Sequence, residues 1–284
     1  MKRRDFLWLS HAALIGAILP MPAKALAFLE ELSAEQSLQL IQNEFCADAL
    51  FDASILQPRE DDVLATPEEY KKIITLYKRL YRVQKIVGYG YFNTLSFDEM
   101  IRIGKYTAGI ENFSKEELDF FEELFYEDAK KYGFYGEKVI NDVTNIISSD
   151  EIVKVDYTGH YLFKGDALET YTRLRNEMGK SVELTSGVRN IVKQMYLFLN
   201  KTVNTKGNLS IASRSLAPAG YSYHGISDFD IGKVGFGHRN FTADFAQTQE
   251  FKKLTQLGYL KIRYGINNPY GVRYEPWHVK VYDV

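Results

Sequence analysis

The chain changes texture near residue 146, and that change limits what it can fold into. Before it, helix starts recur: Thr66 with Glu69, Ser96 with Glu99, and Ser114 with Glu117. Each pair is a capping box, in which a hydroxyl accepts from the amide three residues on while the Glu side chain reaches back to the cap's own N–H. Pro67 takes the first helical position, where a missing N–H does no harm. Apolar residues then recur at helical spacing, as Ile73, Ile74, Tyr77 and Leu80 after the first start and Leu118, Phe121 and Leu124 after the third. Residues 28–145 are therefore predicted to be a helical N-terminal region. Beyond Ile146 short strand-like runs mix with helices. A helix over Asp166 to Met178 stops at Gly179, and Val182 to Thr185 reads as a strand. Val188, Ile191, Val192, Met195 and Leu199 mark an amphipathic helix. A polar loop is expected from Asn204 to Tyr223, with strands at Phe229–Ile231, Tyr259–Tyr264 and Trp277–Val284. This mixture predicts an α+β domain over 146–284, a small antiparallel sheet with flanking helices.

The 284 residues carry a formal net charge of −2, which argues against a nucleic-acid partner. The length suffices for a core without disulfide staples, and the single cysteine, Cys46, excludes an intrachain bridge. Cys46 lies in an apolar helical stretch and reads as a buried thiol. The first residues read as an address. Lys2, Arg3 and Arg4 precede a short apolar run from Ala12 to Leu19, and small residues stand at Ala23, Ala25 and Ala27. That is the layout of a secretory signal peptide over 1–27, with an apolar run too short to span a bilayer. Arg3-Arg4-Asp5-Phe6-Leu7 resembles the twin-arginine export motif. Removing this segment would leave a mildly acidic mature protein without stable membrane insertion, periplasmic or otherwise exported.

Five histidines are present, His11 falling in the predicted leader. Two of the others sit in acid-rich company. His224 precedes Asp228 and Asp230 in His-Gly-Ile-Ser-Asp-Phe-Asp-Ile-Gly, and His278 comes three residues after Glu275 in Glu-Pro-Trp-His. A catalytic zinc site takes three ligands from His, Asp, Glu or Cys and leaves a position open, with a carboxylate near enough to accept a proton from water. These two clusters supply that inventory. A tight turn, permitted by Gly225, would let His224 and an aspartate share an ion. Asp230 would lie on a strand whose other face carries Phe229 and Ile231. His278 begins an alternating strand, with Val279 and Val281 toward the core. Pro276 disfavours an uninterrupted ladder and favours a turn that aims Glu275 and His278 together. His238, in a Gly-rich loop, reads as a surface residue and His160, beside Tyr161-Leu162-Phe163, as structural.

The run Arg214 to His224, with Asp230-Ile231-Gly232 after it, resembles the Ser-x-His…Asp-Ile motif of VanY-type D-alanyl-D-alanine carboxypeptidases. Glu275-Pro276-Trp277-His278 resembles that family's Glu-x-x-His, and Leu184 to Arg189 with Gln194 resembles its Ser-Gly-Tyr-Arg…Gln block. The resemblance covers about residues 150–284. It implies one Zn2+ held by His224, Asp230 and His278, with Glu275 as general base and Arg189 steadying the substrate's developing charge. Ser222, Gln194 and Ser186 would contact substrate or support those that do. Five residues separate His224 from Asp230 where the family has six, which leaves Asp228 as a rival ligand, and Val188 replaces the family's Tyr. The implied activity is hydrolysis of peptidoglycan stem peptides, first of all removal of the terminal D-Ala. The alternatives are a dipeptidase or endopeptidase acting on another wall bond, and a non-catalytic zinc-containing binder of wall peptide.

Overall fold

The computed structural model describes residues 57–281. The leader at 1–27 and Cys46 lie outside the described residues.

All three capping boxes form. They start helices α1 (Pro67–Val87), α3 (Phe97–Tyr106) and α4 (Lys115–Tyr126), with the four-residue α2 (Tyr89–Phe92) between the first two. In each the hydroxyl accepts from the third amide and the Glu closes the ring. Each such cap contributes about 1 kcal/mol. The apolar stripe of α1 (Ile73, Leu76, Tyr77, Leu80 and Val83) is fully buried. It packs on α6 (Ile191–Asn204), where Tyr77 stacks on Tyr196 at 5.5 Å and Phe92 meets the same ring edge-on at 5.6 Å. The helical half is thus cemented to the helix that begins just after Arg189.

Helix does not run on to residue 145. After a 3-10 turn at Ala129–Tyr132 the backbone of Gly133 enters the left-handed region (φ 83°), which ends the turn. From there an irregular strap is tied across the rest of the molecule. Tyr135 N–H donates to Tyr270 O at 2.8 Å, and the amides of Val139 and Ile140 both donate to Gly220 O.

The β elements form two sheets. β1 (Ile152–Lys154) and β2 (Tyr161–Phe163) make an antiparallel hairpin. β3 (Val182–Ser186), β4 (Phe229–Lys233), β6 (His278–Lys280) and β5 (Lys261–Ile262) make an antiparallel sheet in the order β3-β4-β6-β5. The mixed fold with its small antiparallel sheet is the α+β arrangement expected. α5 (Asp166–Met178), which ends at Gly179 as expected, and α8 (Gln249–Gln256) cover one face of that sheet. The buried side chains there include Val182, Leu184, Phe229, Ile231, Trp277 and Val279. Each such large apolar side chain contributes about 1.5–3 kcal/mol by leaving water. The opposite face is polar, and the strand alternation that buries Phe229, Ile231 and Val279 therefore turns Asp230 and His278 toward it.

Two local expectations change. The span 204–223 is not all loop: Asn208 caps α7 (Leu209–Ser213), its Oδ1 accepting from Ile211 N–H at 2.7 Å. The serines that read as loop polarity are buried, and Ser210 Oγ accepts from Val63 N–H at 3.0 Å. The strand expected over Tyr259–Tyr264 shrinks to Lys261–Ile262, because Tyr264 turns inward to meet the His278 ring at 4.9 Å.

Candidate metal centre

His224 sits in a 3-10 turn, Tyr223–Gly225, reached from the loop after α7. The connection to β4 closes tightly on one acceptor. Tyr223 O receives the amides of Ile226, Ser227 and Asp228 at 3.0–3.1 Å. Gly225 serves this turn through space rather than through φ: a Cβ there would lie 2.6 Å from Ile140 Cδ1 of the strap. Asp230 lies in the middle of the sheet, opposite His278 on one side and Ser186 on the other. A register shift in β3 between Leu184 and Ser186 turns the chain out just there. His278 N–H donates to Glu275 O at 3.1 Å, so Glu275-Pro276-Trp277-His278 is the turn expected at Pro276.

These elements bring His224, Asp230 and His278 together, with ligand atoms all within 4.8 Å of one another and all three residues buried. His224 Nε2 lies 3.2 Å and His278 Nδ1 3.4 Å from Asp230 Oδ1. Bonds of 2.0–2.2 Å to one tetrahedral ion place neighbouring donors about 3.4 Å apart. The tautomers suit this. His224 Nδ1 faces the Gly187 carbonyl at 2.8 Å, which leaves Nε2 with its lone pair toward the cluster. His278 Nε2 faces Asp228 at 3.0 Å, which leaves Nδ1 for the cluster. His224 Nε2 and Asp230 Oδ1 are buried with no hydrogen-bond partner, which is what a metal's donor atoms look like without the metal.

The choice between the two aspartates comes from the same geometry. Asp228 is not in the cluster; it stands behind His278. Its carboxylate accepts from both Nε and Nη2 of Arg263, from Val281 N–H at 3.0 Å, and from the imidazole. Burial alone would raise the pKa of Asp228, but His278 and Arg263 outweigh it and hold the group ionised. Asp230 is likewise kept ionised against its burial, by His224 and Arg189.

Glu275 is buried at the edge of the cluster, its Oε2 3.6 Å from His278 Nδ1 and its Oε1 3.5 Å from Arg273 Nε. Arg189 Nη2 donates to Asp230 Oδ2 at 2.5 Å and its Nε to Ser186 Oγ at 2.8 Å. Each of the three carboxylates therefore stands beside its own guanidinium: Asp228 by Arg263, Asp230 by Arg189, Glu275 by Arg273. Gln194 is buried in α6, its Nε2 donating to Ala217 O at 2.6 Å and so tying down the loop that leads to Ser222. Ser222 is buried in the residue before the His224 turn. His238 is exposed, as expected of a surface residue.

Burial opposes a charge on His278, but the carboxylates of Asp228 and Glu275 beside it outweigh that and raise its pKa to about 9. Burial and Arg189 push the His224 pKa down. A metal must displace the proton from His278 Nδ1, so its apparent affinity is expected to rise about tenfold per pH unit through neutrality and to level off above about pH 9. In the metal-free protein the sign reverses. The raised pKa stabilises the fold fully below pH 6.5, and that contribution is lost as pH climbs to about 9. The difference in Tm with and without zinc should therefore widen from pH 6 to pH 9; a constant difference would contradict this.

The match to known families agrees with the cluster. Residues 164–283 match the model of VanY, D-alanyl-D-alanine carboxypeptidase. Over this span, less than half of its length, the chain is similar to the VanY family. The two imidazoles and one carboxylate of the cluster, with orphaned donors converging, suit zinc. No curated protein sequence matches the chain. Among solved structures, a vancomycin-resistance D,D-pentapeptidase VanY in complex with Zn(II), a Glu-to-Ala variant, is 20% identical with a TM-score of 0.38, covering 46% of this chain and 78% of its own. VanYB in complex with D-alanine-D-alanine is 20% identical with a TM-score of 0.38, covering 46% and 76%. The LD-carboxypeptidase LdcB is 27% identical with a TM-score of 0.34, covering 43% and 59%.

Two residues around the cluster are not evident from sequence in their present roles. Asp228 is visible there only as a rival ligand, and Arg263 gives no signal, since its buried carboxylate partner lies 35 residues away in sequence.

Proposed function

We propose that the protein hydrolyses peptide bonds of peptidoglycan stem peptides, releasing the terminal D-Ala as a D,D-carboxypeptidase, and that it is exported to do so. The observation that carries this reading is the convergence of His224, Asp230 and His278 with Glu275 beside them, inside the span that matches the VanY family. The leader-like first 27 residues support export. Among the described residues no helix is long and apolar enough to cross a membrane.

In this reading His224 Nε2, Asp230 Oδ1 and His278 Nδ1 hold the zinc. When bound, zinc supplies a Lewis acid that makes water more acidic and polarises the scissile carbonyl. Glu275 takes the proton from the attacking water and returns it to the leaving amine. Arg189, already braced on Asp230 and Ser186, turns positive charge toward the carbonyl oxygen as it gains negative charge. Gln194 holds the loop that presents Ser222, so its part in substrate binding is to position that loop. The helical half supports the site by packing α1 on α6 and by carrying the strap that closes on Gly225.

The test is a pentapeptide ending in D-Ala-D-Ala, incubated with purified protein with and without chelator. A product lighter by a single alanine, abolished by chelation and restored by zinc, is expected. Loss of two residues, or cleavage within the chain, would instead identify a dipeptidase or an endopeptidase. Cleavage that survives chelation would refute the metal, and no cleavage of any wall peptide would leave a binder.

A further inference from the structure

The β1–β2 hairpin brings a third imidazole, His160, within electrostatic reach of His224 and Asp230, and the activity proposed above leaves it without a role. His160 is the residue before β2, and its backbone is fixed from both sides. Its N–H donates to Thr158 Oγ1 at 3.1 Å and its carbonyl accepts from Val155 at 2.9 Å. The hairpin is in turn pinned to the catalytic segment. Val188 N–H donates to Tyr161 O at 2.8 Å, and the two chains approach so closely that a Cβ on Gly187 would lie 1.9 Å from that oxygen. The Gly187 carbonyl itself orients His224. From the other side Asn93 Nδ2 reaches Gly159 O at 3.5 Å, while Asn93 O accepts from Asn190 N–H at 2.8 Å. The loop after α2 therefore ties the hairpin, at the residue before His160, to the start of α6.

The imidazole so placed has a buried Nδ1 with no hydrogen-bond partner. Burial, with Arg189 and Lys193 nearby, lowers its pKa to about 4, so it is neutral at physiological pH with one N–H to give. Its charged surroundings are Arg189, Lys193, Asp230 and His224. Asp230 is already matched by Arg189, and a metal held by the cluster would add further positive charge, so the balance there favours an incoming anion. A buried ring nitrogen left unsatisfied is a defect in a finished core and a fitting for a ligand in a site.

Resting on the peptidase reading, we propose that His160 is a substrate-binding residue that donates a hydrogen bond to the C-terminal carboxylate of the peptide. The probe is an N-acetylated peptide ending in D-Ala-D-Ala, and its C-terminal amide, titrated calorimetrically into zinc-loaded Glu275→Gln protein. His160→Phe keeps the ring and removes the donor. It should weaken binding of the free acid by about tenfold to a hundredfold, the range for a hydrogen bond to a charged group. It should leave the amide within twofold and the zinc content unchanged. His160→Gln, which keeps a donor, should recover most of the loss. Unchanged binding of the acid, equal weakening of both peptides, or loss of zinc from His160→Phe would each overturn the assignment. If the zinc-loaded parent bound neither peptide, the peptidase reading itself would fall, and this inference with it.

Discussion

Glu275→Ala should keep its zinc and lose wall-peptide hydrolysis by about 10²–10⁴-fold, the usual worth of a positioned acid–base group. The carboxylate is not in the ligand cluster, so its removal leaves His224, Asp230 and His278 in place. Its backbone is held independently, by its own N–H to Tyr264 O at 2.9 Å and by its carbonyl to His278 N–H. The turn that presents His278 therefore survives the truncation. What disappears is the one carboxylate near the cluster that is free of a ligand's or an orienter's duty. Loss should fall on kcat, with metal content measured in the same preparation. Product release by Glu275→Ala at the wild-type rate would show that another group moves the proton, and zinc loss would show that Glu275 belongs to the ligand set.

Asp228→Ala should damage the protein more broadly than loss of a ligand would. Arg263 has a fully buried side chain, and Asp228 is the carboxylate that receives its Nε and Nη2. Removing the partner leaves the buried guanidinium without its carboxylate, at a cost of about 3–5 kcal/mol. For a unit of this size that corresponds to a fall in Tm of roughly 10 °C. Arg263 also lies over the Tyr223 ring at 3.6 Å, so a displaced guanidinium disturbs the turn that presents His224. Independently, His278 loses the acceptor that fixes its Nε2, and the affinity for zinc should drop a further 10- to 100-fold. Thermal melts of the zinc-loaded and zinc-free variant separate the two effects. If the zinc-free Tm matches wild type, the buried pair does not support the fold as described.

Much of this architecture is legible from residue order because its causes are local. Ser96 and Glu99, or Ser114 and Glu117, need only the intervening turn to find each other, and they do. The alternation Phe229-Asp230-Ile231 fixes which face is wet once a sheet exists, and Gly179 ends α5 without help from elsewhere. The strap from Gly133 to Asn145 reads as helix in the sequence and is not, because its conformation depends on bonds to Gly220 and Tyr270, far along the chain. Likewise Ser210 and Ser213, polar enough to read as loop, are helical and buried because α7 packs where their hydroxyls are sheltered.

By itself the sequence determined which chemistry is on offer: two histidine–acid clusters, a carboxylate placed three residues before a histidine, and strands whose alternation aims those groups at one face. Only the tertiary structure decided how they are shared out. Asp228 and Asp230 are two residues apart and chemically identical, yet one faces the cluster and the other braces His278 from behind. Alternation would have put both on the same side of an extended strand. The folding of three amides onto Tyr223 O takes Asp228 off the strand, before β4 begins at Phe229, and into the reach of Arg263. Ligand identity depends on where backbone segments distant in sequence cross, and no spacing along a single chain encodes that crossing.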